Sequence, residues 1–240
     1  MEIIDQKNGV PLSYYRELLA GKDPEELARR AGLPFGDGAF RLTLLGRGIR
    51  LLTADGTPVV GGGAPVFDSG TSVFDDGTPA PPNVQILLLR LVTSGALAPS
   101  GGRLLAYREL PWGSVYDANF RGRCIGRLAR SFGRDPQAFD RICARLGGIS
   151  AGKGSWDLPF ICVGEGCGDE AGSGGPGSEA GSDGPILTVR LTLWPGDEEF
   201  PASAQFLFSD NFPAAFTAED TAVVGDVILN TMNAMKKELA

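Results

Sequence analysis

Three acids stand side by side in the stretch LWPGDEEFPASAQFLF (193–208): Asp197, Glu198 and Glu199. Carboxylates in a turn offer hard oxygen ligands for Mg²⁺ or Ca²⁺. If the turn is extended, Asp197 and Glu199 fall on one side and Glu198 on the other. A cation needs ligands from more than one segment, and Asp210 and Asp220 are the candidates to supply the rest. Two other readings stay open. The turn could be a solvated hairpin tip whose carboxylates cap backbone N–H groups, or one Glu could be buried against Arg108 or Arg190.

Other residue sets invite chemistry. Cys162 and Cys167 are spaced C-x₄-C, which structural zinc permits, while Cys124 and Cys143 fall in helical sequence nineteen residues apart. Four cysteines in 240 residues do not make a disulfide framework, so reduced, buried thiols are expected. Arg123, Arg127, Arg130 and Arg134 recur at i, i+4, i+7 and i+11 with Arg121 nearby, a cationic stripe on a helix. Ile125, Leu128 and Phe132 would then pack inward. The stripe suits an anionic ligand or partner, or a solvated face paired with the chain's own acids. Glu109, Trp112 and Tyr116 in RELPWGSVY could wall a pocket, or fill core with Glu109 paired to an arginine.

Some chemistries are excluded. The chain has no histidine, which removes Ser-His-Asp and Cys-His catalysis and any haem or zinc held through histidine. GGISAGKGS (147–155) contains G-x₄-G-K, but Gly154 stands where a P-loop needs Ser or Thr, and a helix precedes it rather than a strand. A net charge of −7 disfavours phosphate backbones and anionic lipid, so neither nucleic acid nor membrane is expected as a partner. MEIIDQKNG lacks a secretory pattern, and the longest apolar run (86–92) is far short of a membrane span, so a cytoplasmic protein is expected.

These residues must be held by a scaffold legible in the pattern. LSYYRELLA (12–20) reads as a helix; Asp23-Pro24 opens a second that ends at Gly32. Residues 39–45 and 48–53 read as a hairpin joined by Gly46-Arg47, and 61–82 as an irregular loop. Residues 83–97 are apolar nearly all round, as in a buried helix. A strand at 103–109, helices at 120–132 and 136–146, and a strand at 156–163 follow. Residues 164–185, rich in Gly, Ser and Glu, read as a flexible insertion. Leu187, Val189, Leu191 and Leu193 alternate on one strand, and Ala204, Phe206 and Phe208 on the next, with the acidic turn between. Thr217 and Asp220 cap a final helix whose apolar face carries Val224, Val227, Ile228, Thr231 and Met235. The order predicts an α+β fold, a single domain over 1–240 with a mainly antiparallel sheet and flanking helices.

DPEELARRAG (23–32), YRELPWGSVY (107–116), WPGDEEFPASAQFLF (194–208) and TAEDTAVVGDVI (217–228), in this order and spacing, resemble an uncharacterised prokaryotic family, the domain-of-unknown-function family 3786. The resemblance implies no established activity. Some members look like fusions to cysteine-rich iron–sulfur domains; this chain carries no such cysteine cluster at its start.

The function expected is a non-catalytic accessory protein that binds a small ligand, a metal or a protein partner. Its candidate ligand residues are Glu109, Trp112, Tyr116, Arg123 and Arg127. Its candidate metal ligands are Asp197, Glu198 and Glu199, then Cys162 and Cys167. The alternatives are a Glu/Asp enzyme using a divalent cation and a partner-binding module using the arginine stripe. An enzyme predicts that the acidic turn lines a concave pocket; a ligand binder predicts a cavity near Trp112 and Tyr116.

Overall fold

The computed structural model describes residues 4–5, 10–53, 68–164 and 186–239. A two-stranded ribbon, β1 (Ile4–Asp5) and β2 (Val10–Pro11), precedes α1 (Leu12–Ala20) and α2 (Pro24–Ala31). The second helix starts where its caps dictate. Asp23 Oδ1 accepts the Glu25 amide at 3.0 Å, and Gly32 ends the helix in the left-handed region. The strands β3 (Phe35–Gly36), β4 (Ala39–Leu44) and β5 (Arg47–Leu52) follow. Leu45 and Gly46 both have positive φ, the two-residue turn whose twist suits a hairpin. The joining turn therefore sits one residue earlier than the Gly46-Arg47 expected from sequence.

Part of the stretch read as an irregular loop is a strand. β6 (Ser72–Phe74) is wholly buried beside β5. Three residues buried on both faces show no alternation, so burial rather than pattern selects it. Residues 61–67 of that loop, and 165–185 of the proposed insertion, lie outside the described residues. α3 (Pro82–Ser94) is buried nearly all round, as its apolar sequence predicts. β7 (Leu104–Ala106) is short, and the chain then turns through a 3₁₀ segment at Tyr107–Glu109.

The next helix begins seven residues earlier than the sequence suggests. α4 (Gly113–Phe120), a π-helical turn at Arg121–Ile125 and α5 (Gly126–Phe132) run on without a break. α6 (Pro136–Arg145) is capped by Asp135, whose Oδ1 accepts the Ala138 amide at 3.0 Å. The P-loop-like stretch is a hairpin: β8 (Ile149–Gly152) turns at Lys153-Gly154 into β9 (Ser155–Cys162). β10 (Ile186–Trp194) and β11 (Ser203–Ser209) form the long hairpin bearing the acidic turn. α7 (Phe212–Ala215) and α8 (Ala218–Glu238) close the fold.

Among the described residues the main sheet runs β6-β5-β4-β9-β10-β11-β7, with β3 on β4 and β8 on β9, every pair antiparallel. The fold is therefore α+β. Leu187, Val189, Leu191 and Leu193 face the helices and are buried in one core with Phe206, Phe208, Leu88, Phe139 and Ile228. The opposite face is polar. Arg190 binds both carboxylate oxygens of Asp157 at 2.6 Å, and Ser155 and Thr192 share a 2.9 Å hydrogen bond. Arg190 is thus engaged by Asp157 rather than by a glutamate of the acidic turn. No helix among the described residues is long and apolar enough to cross a membrane.

Candidate functional site

A groove of ≈ 510 Å³ opens where β7 ends and the helical run α4–α5 crosses the edge of β11. One end is formed by Ala106, Tyr107 and Arg108, and the other by Trp194 and Ala202. The helical wall supplies Asp117, Arg121, Ile125, Gly126 and Ala129; the sheet wall is Ser203 to Phe206. Each part has a local cause. Glu109 Oε2 accepts the Ala106 amide at 2.7 Å, which turns the chain out of β7 and into the 3₁₀ segment. Tyr107 is buried, its ring stacked on Phe120 at 4.0 Å and its hydroxyl donating to the Ala218 carbonyl at 2.8 Å. Burial pushes the Tyr107 phenol up to about 12.

The entry into α4 is tight. A side chain at Gly113 would collide with the Tyr107 carbonyl, so the chain passes there only as glycine. Trp112, one residue before, sits at φ +65°, a left-handed conformation that costs a non-glycine residue of order 1 kcal/mol or more. Its side chain is 79% exposed. The π-turn then adds one residue to the helical period. It carries Arg121 and Ile125 to the groove while Arg123 and Arg127 turn toward α8. Ile125, expected in the core, is half-buried in the groove wall.

The groove has local positive character. Arg121 engages Asp117 through Nε at 2.7 Å. Arg108 is exposed and makes no ion pair or hydrogen bond among the described residues, although its charge helps to hold the neighbouring Glu109 carboxyl low. Two guanidinium groups thus meet one carboxylate, in a chain whose net charge is −7. Two other hollows among the described residues differ. Where ≈ 710 Å³ opens over β4 and β5, Arg41 pairs with Asp37 and Arg50 lies 3.8 Å from Asp75. In the ≈ 290 Å³ hollow beside Phe74, Arg47 pairs with Asp76 at 2.8 Å.

The acidic turn lies past the groove's far end and does not line it. Asp197 folds the turn: its Oδ1 accepts the amides of Glu199 at 2.9 Å and Phe200 at 2.7 Å, while its own amide donates to the Phe200 carbonyl at 2.9 Å. Ala202 packs so closely on Gly133 that only a glycine fits there, which pins the hairpin tip to the end of α5. Glu198 and Glu199 are exposed. Asp210 accepts from the Ser100 hydroxyl and the Gly101 amide, which hold its carboxyl below the usual range. Asp220 faces Arg90 at 3.0 Å. Among the described residues no three acidic or cysteine side chains are grouped to hold a metal ion.

The remaining expected residues are placed as follows. Glu109 closes the 3₁₀ turn and pairs with Arg103 at 3.1 Å. Tyr116 is exposed on α4, and neither it nor Trp112 lines the groove, although the segment they belong to forms its end. Arg123 pairs with Asp226 of α8, and Arg127 bonds Asn230 at 2.7 Å with Asp226 at 3.8 Å. Cys124 and Cys143 are free and fully buried; burial raises both thiols, Cys124 to about 12. Cys162 corrects the expectation of reduced thiols, since it is disulfide-bonded. A count of cysteines per length does not sense a single disulfide. Cys167 lies outside the described residues. Sequence reasoning missed Trp194, Gln205 and the Arg121–Ile125 offset. The paired glycines Gly122 and Gly126 were the available signal for an irregular turn.

A family model described as domain of unknown function (DUF3786) matches residues 23–161 and 184–231. No curated protein and no solved structure matches the chain.

Proposed function

The chain belongs to the DUF3786 family, a domain of unknown function, and we propose on that footing that it is a non-catalytic binding protein whose ligand lies in the groove between β11 and the α4–α5 run. The ligand carries an anionic group, a carboxylate or a phosphate, on a partly apolar body. The observation that carries this reading is Arg108, a guanidinium at the groove's end that makes no ion pair or hydrogen bond among the described residues. Arg121 adds a second cation, and Ile125, Ala129 and Trp194 supply apolar contact. Two of the segments that carry the family resemblance, 107–116 and 194–208, form its two ends.

The test is native mass spectrometry of protein purified without chelator, followed by titration of inorganic phosphate and acetate monitored at the Arg108 side chain by NMR. A bound mass, or a saturable anion shift, that disappears in Arg108→Ala supports the reading. A response identical in wild type and Arg108→Ala removes it.

A further inference from the structure

The groove is bordered by an unfinished sheet edge. β7 pairs with β11 only across Leu207, Phe208 and Ser209, while β10 covers the other side of β11 from Ser203 to Phe208. The register fixes which amides face the open side. The Asp210 amide donates toward β7, to the Arg103 carbonyl at 3.0 Å. In a strand the direction alternates, so Phe208, Phe206 and Ala204 also direct their amides to that side. Ala106 confirms the phase. It lies opposite Leu207, and its amide turns away from β11 to reach Glu109. Past Ala106 the chain leaves the sheet, and among the described residues no strand continues the ladder along Ser203–Phe206. Four residues of edge span about 13 Å.

We propose that this edge accepts an extended, acidic peptide segment of a protein partner, added as a strand on β11 where β7 stops. The proposal rests on the reading of the groove as a binding site and names its ligand class. Backbone pairing at Ala204 would hold the segment, while Arg108 and Arg121 meet its carboxylates and Ile125 and Trp194 its apolar side chains. The charge balance of the groove selects the occupant: two cations against Asp117 favour an acidic strand and repel a basic one.

The experiment titrates the protein into a fluorescein-labelled peptide, Thr-Val-Glu-Val-Glu-Val, and into its counterpart with lysine for glutamate, read by anisotropy. Hydrogen exchange at the Ala204 amide is followed in parallel. The glutamate peptide is expected to bind saturably, at least tenfold tighter than the lysine peptide, and to slow Ala204 exchange at least tenfold. Ala204→Pro removes an outward amide without touching the β10 ladder and abolishes binding. Arg108→Glu, at an exposed side chain, weakens binding at least tenfold with an unchanged circular dichroism spectrum. Strand addition is overturned if Ala204 exchange is unaffected or if Ala204→Pro binds like wild type. If phosphate or acetate still titrates Arg108 in that case, the anion groove survives alone. If neither peptide nor anion binds, both readings fall.

Discussion

Asp220 offers the sharpest test of how the helical layer is held to the site. Its carboxylate is buried and serves two elements. It accepts the Thr217 amide at 3.1 Å and the Thr217 hydroxyl at 2.6 Å, capping α8, and it faces the Arg90 guanidinium of α3 at 3.0 Å. The side chains of Arg90 and Asp220 are 15% and 7% exposed. Asp220→Ala removes the N3 half of the capping box, worth up to about 1 kcal/mol, and takes one carboxylate from a largely buried cation, where breaking a wholly buried pair costs about 3–5 kcal/mol. Arg90 keeps some solvent and lies 5.9 Å over the Tyr15 ring, so the net expectation is about 3 kcal/mol. Asp220→Asn keeps an acceptor for Thr217 and loses only the charge, so it should cost less. The double variant Arg90→Met/Asp220→Asn removes both charges of this pair and should be more stable than the sum of its single variants by at least about 1 kcal/mol. Urea unfolding followed by tryptophan fluorescence reads all four proteins. A loss below about 0.5 kcal/mol in Asp220→Ala, or strict additivity in the cycle, would refute the reasoning.

The remaining predictions concern the site and its surroundings. Asp197→Ala should lower Tm by about 2–4 °C, as the loss of a side-chain cap does in a chain of this size, with Asp197→Asn restoring most of it and Glu198→Gln or Glu199→Gln changing little; a Ca²⁺-dependent rise in Tm that Asp197→Ala erases would instead make the turn a metal site. Asp226→Ala releases Arg123 and Arg127 together and should destabilise the protein by about 2 kcal/mol while leaving anion titration at Arg108 intact, since neither arginine lines the groove. Cys124 and Cys143 should not react with a thiol reagent at pH 8 until the chain unfolds, because both are buried and raised; labelling of the folded protein would contradict their placement. The Ala106 amide holds the Glu109 carboxyl low, and the Ser100 hydroxyl does the same for Asp210. A folded pKa below the unfolded one gives stability that is present above about pH 4 and lost as the pH falls through the folded value. NMR titration should find both carboxyls ionised below the usual carboxylate range, and normal titration would remove the basis for that acid loss.

Caps and alternation made most of the scaffold legible. Asp23-Pro24, Asp135-Pro136 and Thr217/Asp220 place their helices because the residue types satisfy amides that a helix start leaves open. Leu187 to Leu193 announce β10 because one face must be buried. The failures share a cause. β6 and the exposed β8 are strands by virtue of their neighbours, and Ser72–Phe74 and Ile149–Gly152 carry no period of their own. The arginine stripe was drawn on an ideal helix. One π-turn divides it, so that Arg121 reaches the groove and Arg123 and Arg127 reach Asp226. Trp194 and Gln205 border the groove only because β7 ends early, and that ending is set by a side chain, Glu109, folding back on Ala106.

That dependence bears on why three acids crowd one turn. Asp197 has a geometric task, closing the loop on the amides of Glu199 and Phe200. Glu198 and Glu199 remain in solvent. The turn is held against Gly133 at the end of α5, so its shape fixes where Ala202 and the start of β11 stand. The acids therefore act on the groove through position: a loosened turn would move the sheet wall at Ser203 and Ala204 relative to Arg121 and Ile125. Their charge adds a second effect, since two exposed carboxylates beyond the Trp194 end repel an acidic segment there and favour its carboxylates nearer Arg108. Glu198→Lys/Glu199→Lys should then leave Tm unchanged within about 1 °C and shift the preferred acid in a bound peptide toward the Trp194 end, read by scanning a single glutamate along an otherwise neutral peptide. An unchanged preference would leave the two glutamates with no part in the site.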